Sequence, residues 1–231
     1  DEHRGVLLTV DEWMDCEVDK LPPKQGQVVI GVDIGGSAAM TAAAFYWPLT
    51  GRLETVAAFP SVQSLADRGA SDGVSDRYIQ MKSRGELICL GQQTVPIQDF
   101  MREVMRKVEG EQVACIIADR FKQAELGEAI DALRLRTPVI WRGTGWKDGN
   151  EDCERFQRAA YDHEIKSSPS LLLRAAIADA VTLRDPANNM KLTKGRSRGR
   201  IDAVQAAVIA VSEGQRHIAR RADTKRAVLW V

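Results

Sequence analysis

The chain has 231 residues, 44% of them hydrophobic and 28% charged, with 32 Lys and Arg balanced by 32 Asp and Glu. That length bounds it to one domain, or one plus an appendage, with ample chain to bury a core. Zero formal net charge excludes a global field that would announce a nucleic-acid or membrane partner, so any basic binding surface is local.

No apolar run approaches the ~18 residues of a membrane span, and the charged start, DEHRGVLLTVDEW, lacks a signal-peptide pattern. Residues 1–26 read as a leader or linker remnant: an amphipathic turn around Trp13, then a Leu21-Pro22-Pro23 break and Gly26. With no initiator Met, the chain reads as cut from something longer. A folded domain is expected over 27–220 and a charged tail over 221–231. Gln27 to Val32 predicts a buried strand ending at Asp33. Gly35-Gly36 forces a turn, Met40 to Trp47 predicts a second strand, and Leu53 to Phe59 a third after the hairpin-type Pro48-Leu49-Thr50-Gly51. Three strands joined by tight turns make an antiparallel meander.

Ser61 to Arg77 reads as a loop, followed by a short helix near Tyr78–Arg84 and a strand at Leu87–Leu90. Phe100, Val104 and Val108 give a helical stripe after Pro96, stopped by Gly110. Val113 to Ala118 is a further apolar strand, again ending in an acid, Asp119. Ala124 to Leu135 predicts a helix, Pro138 to Trp141 a strand, and Gly143 to Gly149 a loop. Helices are expected at about Glu151–Asp162 and Pro169–Val181, a basic loop or hairpin over Arg184 to Gly199, and a helix from Ile201 to Gly214. This order predicts an α/β fold whose mixed sheet, an antiparallel meander plus parallel strands flanked by helices, is ribonuclease-H-like. The four cysteines and three histidines are scattered without metal-ligand spacing, so zinc is not the reading.

Two apolar strands end in aspartate, VVIGVD at Asp33 and ACIIAD at Asp119, and Asp202 opens the last helix in GRIDAVQAAVIAV. Singly, each has an ordinary reading as an Asx-turn or a helix cap. If the first and fourth strands lie parallel and adjacent, however, their ends share one sheet edge, and a helix start packed there brings in Asp202. Clustered carboxylates stay ionised only with a cation to offset their repulsion. Hard oxygen ligands suit Mg2+ or Mn2+, and two such ions would clamp both oxygens of a phosphoryl displacement. The segment MKLTKGRSRGRID places Lys191, Lys194, Arg196, Arg198 and Arg200 just before Asp202, among Gly195 and Gly199. A solvated surface loop is the plain reading. Beside a metal cluster it becomes a clamp for a DNA phosphate backbone, holding DNA without reading its sequence.

Several stretches together resemble the nuclease (C-terminal) domain of the large terminase subunit of tailed bacteriophages, in the ribonuclease-H-like superfamily. They are the EW-x-x-C leader, VIGVDIGGSAAMTAAAFYWPLTGRLE, ADRGASDGVSDRYIQMKSRGELICLGQQTVP, IIADRF and LLLRAAIADAVTLRDPANNMKLTKGRSRGRIDAVQAAVIAV, spanning about residues 10 to 213. The resemblance implies a metal-dependent endonuclease that cuts concatemeric double-stranded phage DNA during packaging, in the cytoplasm of the infected host. It implies that Asp33, Asp119 and Asp202 are the metal-binding catalytic acids. It also implies an N-terminal packaging ATPase domain, the small terminase subunit and the portal as partners. The chain holds no G-x-x-x-x-G-K-[ST] loop and so does not itself supply the motor. Rival readings are a junction resolvase or transposase-type nuclease on the same fold, and a docking module without activity. A third is an actin-like or sugar-kinase phosphate-binding domain, suggested by GVDIGGS but lacking a second glycine-rich loop.

Overall fold

The computed structural model describes residues 3–36, 39–194 and 200–228. In chain order it forms β1 (His3–Gly5), α1 (Val10–Met14), β2 (Val28–Asp33), β3 (Thr41–Trp47), β4 (Arg52–Phe59), α2 (Leu65–Asp72), α3 (Arg77–Ser83), β5 (Leu87–Cys89), α4 (Ile97–Lys107) and β6 (Val113–Asp119). A 3-10 turn at Arg120–Lys122 leads to α5 (Gln123–Ala132), β7 (Val139–Arg142), α6 (Trp146–Tyr161), β8 (Lys166–Ser167), α7 (Leu171–Asp179), β9 (Val181–Arg184), β10 (Met190–Thr193) and α8 (Asp202–Val228). The main sheet has the order β5-β4-β3-β2-β6-β7, with β8 also paired to β4. The pairs β2–β3 and β3–β4 are antiparallel, whereas β2–β6, β6–β7 and β4–β5 are parallel. This is the expected meander continued by parallel strands, with β2 at its centre.

Side chains alternate across the sheet, and both faces are covered. Val29, Ala42, Ala44 and Tyr46 pack with Phe156 of α6, Leu173 of α7 and Val204 of α8. Val28, Ile30, Val32, Ala43 and Phe45 pack on the other face with Phe100 and Val104 of α4 and Leu126 of α5. α8 approaches β2 closely because both surfaces are small. A Cβ on Gly31 would lie 2.2 Å from the Ala206 carbonyl oxygen and 2.9 Å from the Ala210 methyl. That contact carries the start of α8, and Asp202 with it, toward the end of β2.

Four local expectations differ from the structure. Residues 3–18 are not a detached leader. β1 pairs with β9, and Leu7, Leu8, Trp13 and Cys16 are buried in the main core, because α1 turns Trp13 onto Phe156. The stretch read as a loop before Arg77 contains α2, capped by the Ser64 hydroxyl and closed by Gly73 with φ 70°. α6 begins at Trp146, inside the expected glycine-rich loop. α8 runs through Gly214 into the expected tail, since Gly214 serves packing: its Cβ would meet the Tyr46 ring at 2.5 Å.

Candidate active site

Asp33 and Asp119 arrive at one edge of the sheet by strand register. Val32 pairs with Ala118 on the adjacent parallel strand, so the next residue of each strand is an aspartate, on backbones about 4.8 Å apart. Asp33 is 8% exposed and Asp119 half-buried. Asp119 caps the 3-10 turn, its Oδ1 accepting the Phe121 N–H at 3.0 Å. Asp202, the first residue of α8, is 5% exposed.

Lys194 joins two of these acids. Its ammonium lies 2.6 Å from Asp33 Oδ2 and donates to Asp202 Oδ1 at 2.7 Å. Asp33 Oδ2 is buried and, despite its ionic neighbour, has no well-directed hydrogen bond. Burial pushes the Asp33 carboxyl up to about 7; the Lys194 charge opposes that rise and the Asp202 charge adds to it. Burial alone would lower the Lys194 ammonium, but the carboxylates of Asp33 and Asp202 raise it above its ordinary value. Two buried carboxylates around one cation, with an oxygen that lacks a directed donor, fit a hard spherical ion, which needs oxygen ligands but no hydrogen-bond angle. Among the described residues, no three His, Cys, Asp or Glu side chains form a ready-made metal cluster, and Asp119 stands apart from the Lys194 bridge.

A cleft of about 460 Å³ opens here, walled by Asp33, Asp119, Lys122, Arg142, Lys191 and Lys194 among others. The basic residues proposed as a phosphate clamp divide. Lys191 lines the cleft with its Nζ 4.1 Å from the centre of the Trp146 ring. Lys194, though half-exposed, commits its ammonium to two acids of the site and so does not offer it freely as a clamp residue. Arg200 is turned away, its guanidinium bound to Asp72 at 3.0 and 3.4 Å and lying over Phe59. Arg196 and Arg198 lie outside the described residues.

A charged network beside the cleft was not foreseen. Arg142 stands opposite Asp119 in the β6–β7 register and donates to Asp152 of α6 at 3.0 and 3.1 Å. Asp152, 2% exposed, also accepts from Ser212 Oγ at 2.7 Å and Arg216 at 3.1 Å, both on α8. One buried carboxylate thus ties β7, α6 and α8 together with its charge and lone pairs answered. Nothing local in the sequence marks it, since its partners lie 10, 60 and 64 residues away.

A sequence model of the family described as "Terminase large subunit, endonuclease domain" matches residues 2–217. The large terminase subunit of Enterobacteria phage HK97 is 27% identical over 93 residues, 40% of this chain and 18% of that protein. The crystal structure of the HK97 large terminase superposes with a TM-score of 0.82 at 18% identity, over 92% of this chain and 44% of that one. The large terminase nuclease of thermophilic phage G20c with bound magnesium superposes with a TM-score of 0.57 at 12% identity, over 88% and 96% of the two chains. The chain therefore spans less than half the length of the HK97 protein, and what it shares with these structures is the ribonuclease-H-like mixed α/β fold.

Proposed function

The chain belongs to the family of terminase large-subunit endonuclease domains, and on that premise we propose that it is a divalent-metal-dependent endonuclease that cuts concatemeric double-stranded phage DNA during genome packaging. The observation that carries this reading is the convergence of buried Asp33 and Asp202 on one cation, with Asp119 ending the adjacent parallel strand. Asp33, Asp119 and Asp202 would hold two Mg2+ or Mn2+ ions. Such ions supply water activation and charge stabilisation at the leaving oxygen.

The chain's own residues do the rest. The sheet register fixes Asp33 beside Asp119, and the Gly31 contact fixes the start of α8. Asp119 spends one oxygen on the Phe121 N–H, which sets its carboxylate orientation before any ligand arrives. Lys194 offsets part of the charge of the two buried acids and would have to give up its contacts with them where a divalent cation is to be held. Lys191, with Arg196 and Arg198, grips the DNA backbone, and Lys122 adds positive charge along the cleft wall, whereas Arg142 is engaged by Asp148, Glu151 and Asp152. The N-terminal packaging ATPase domain, the small terminase subunit and the portal complete the working assembly, in the cytoplasm of the infected host. No helix among the described residues is long and apolar enough to cross a membrane.

The test is a plasmid assay with magnesium or manganese, comparing the chain with Asp33→Asn and with an EDTA control. Nicking and linearisation by the native sequence, lost in EDTA and reduced at least about 100-fold by Asp33→Asn, is the expected result. Equal cutting by Asp33→Asn would remove Asp33 from the site. A strong preference for branched over linear duplex would favour a junction resolvase instead.

A further inference from the structure

The chain has five phenylalanines. Phe45, Phe59, Phe100 and Phe156 are at most 2% exposed, whereas Phe121 is 82% exposed, the highest value for a large hydrophobic side chain among the described residues. A phenyl ring left in water forgoes most of its transfer free energy. Its backbone is anchored: the Phe121 N–H is bonded to Asp119 Oδ1, and its turn directly follows the strand that ends at the cleft. One residue, Arg120, separates it from Asp119, so its Cα lies within about 7 Å of the Asp119 Cα. A nucleic-acid strand advances about 3.4 Å per nucleotide, so the ring reaches one or two nucleotides from a phosphate seated at Asp119.

The flanking residues are cations. Arg120 is exposed and, among the described residues, makes no ion pair. Lys122 lines the cleft, with its Nζ 3.6 Å from Glu125. An aromatic ring between two cations is the composition of a nucleic-acid contact, in which the cations meet phosphates and the ring meets a sugar or base. A protein partner would need a contiguous apolar patch, and the sequence around Phe121 is polar: Arg120, Lys122 and Gln123.

We propose that Phe121 is a wedge that packs onto the nucleotide flanking the scissile phosphate and partly unstacks it, with Arg120 and Lys122 gripping the phosphates on either side. The inference rests on the DNA-cutting reading above and adds to it a contact that depends on ring surface instead of charge. It makes the 3-10 turn a positioning element. Asp119 at its start meets the reaction centre, and Phe121 sets which sugar–phosphate step lies there.

The experiment measures binding of the full chain to a fluorescein-labelled 30-base-pair duplex by anisotropy, in EDTA so that no cutting intervenes, across a salt series. Phe121→Ala is expected to weaken binding about tenfold with the log–log salt slope unchanged, and Phe121→Trp to stay within about twofold of the native chain. Arg120→Ala and Lys122→Ala are each expected to flatten the slope by about 0.9. Permanganate reactivity of thymines beside the mapped nick is expected with the native chain and absent with Phe121→Ala. The exposed position makes a folding defect in Phe121→Ala unexpected, and an unchanged thermal midpoint checks this. Native binding that Phe121→Ala leaves unaltered would overturn the wedge alone, as would a loss accompanied by the same flattening as Lys122→Ala. No duplex binding by the native chain would overturn the DNA reading and the wedge with it.

Discussion

Lys194 carries a positive charge into the space between two buried carboxylates, and its own side chain is 48% exposed. An arriving divalent cation and this ammonium compete for the same oxygens, so they cannot both neutralise the pair at full strength. Lys194→Met keeps the aliphatic length and removes the competitor. It is expected to bind Mn2+ or Mg2+ about tenfold more tightly by titration calorimetry. In EDTA it is expected to lose about 1–2 kcal/mol of stability, because the carboxylates then repel without an offset; the half-exposed lysine keeps the loss below that of a fully buried pair. Unchanged metal affinity in Lys194→Met would mean that the ammonium is a bystander. Arg200 shows a different use of a basic residue: it was expected to meet phosphate but instead binds Asp72. Composition shows that a segment is basic; it does not show which of its charges are already taken within the fold.

The pairing of β2 with β6 and the close seat of α8 on β2 together set the site. Gly31→Ala places a methyl where the Ala206 carbonyl stands, and that atom is backbone, so the helix must shift. A loss of about 2–3 kcal/mol in chemical denaturation is expected, along with a larger fractional loss of nicking than Ala203→Gly, which leaves the spacing intact. The meander, the parallel strand and the two acids at strand ends were legible in the sequence, because apolar β-branched runs closed by Asp and Gly report local geometry. Asp202 was legible for the same reason, as a helix start. α2 was not: its buried face includes Arg68 and Gly69 where an apolar stripe would be sought, and a Cβ on Gly69 would strike the Ser75 carbonyl oxygen at 1.8 Å. The Asp152 network and the Lys194 bridge were hidden because charge pairing between distant elements leaves no periodic trace. Phe121 was hidden for another reason, since an aromatic after a strand gives no sign in the sequence of whether it turns inward.

At the scale of the whole molecule, two sheets meet around the cleft. The second has the order β1-β9-β10, so the first strand of the chain is bonded to the hairpin that carries Lys191. Removing residues 1–18 is expected to expose the core surface now covered by Leu7, Leu8 and Trp13. Roughly 5 kcal/mol or more of burial would be lost, a large part of a typical domain's stability. The shortened chain is expected to lose near-ultraviolet circular dichroism or precipitate, whereas native-like unfolding would show the segment to be dispensable. The small sheet also has a mechanical side. His3 is laddered to Arg184 and Gly5 to Thr182, while Thr182 is laddered in turn to Leu192, two residues before Lys194. Tension applied ahead of His3 is therefore transmitted across two rows of backbone hydrogen bonds to the lysine seated on Asp33 and Asp202. The hairpin thus couples the front of the domain to Lys194, and a pull there would register at the candidate site as a change in how firmly that lysine is seated.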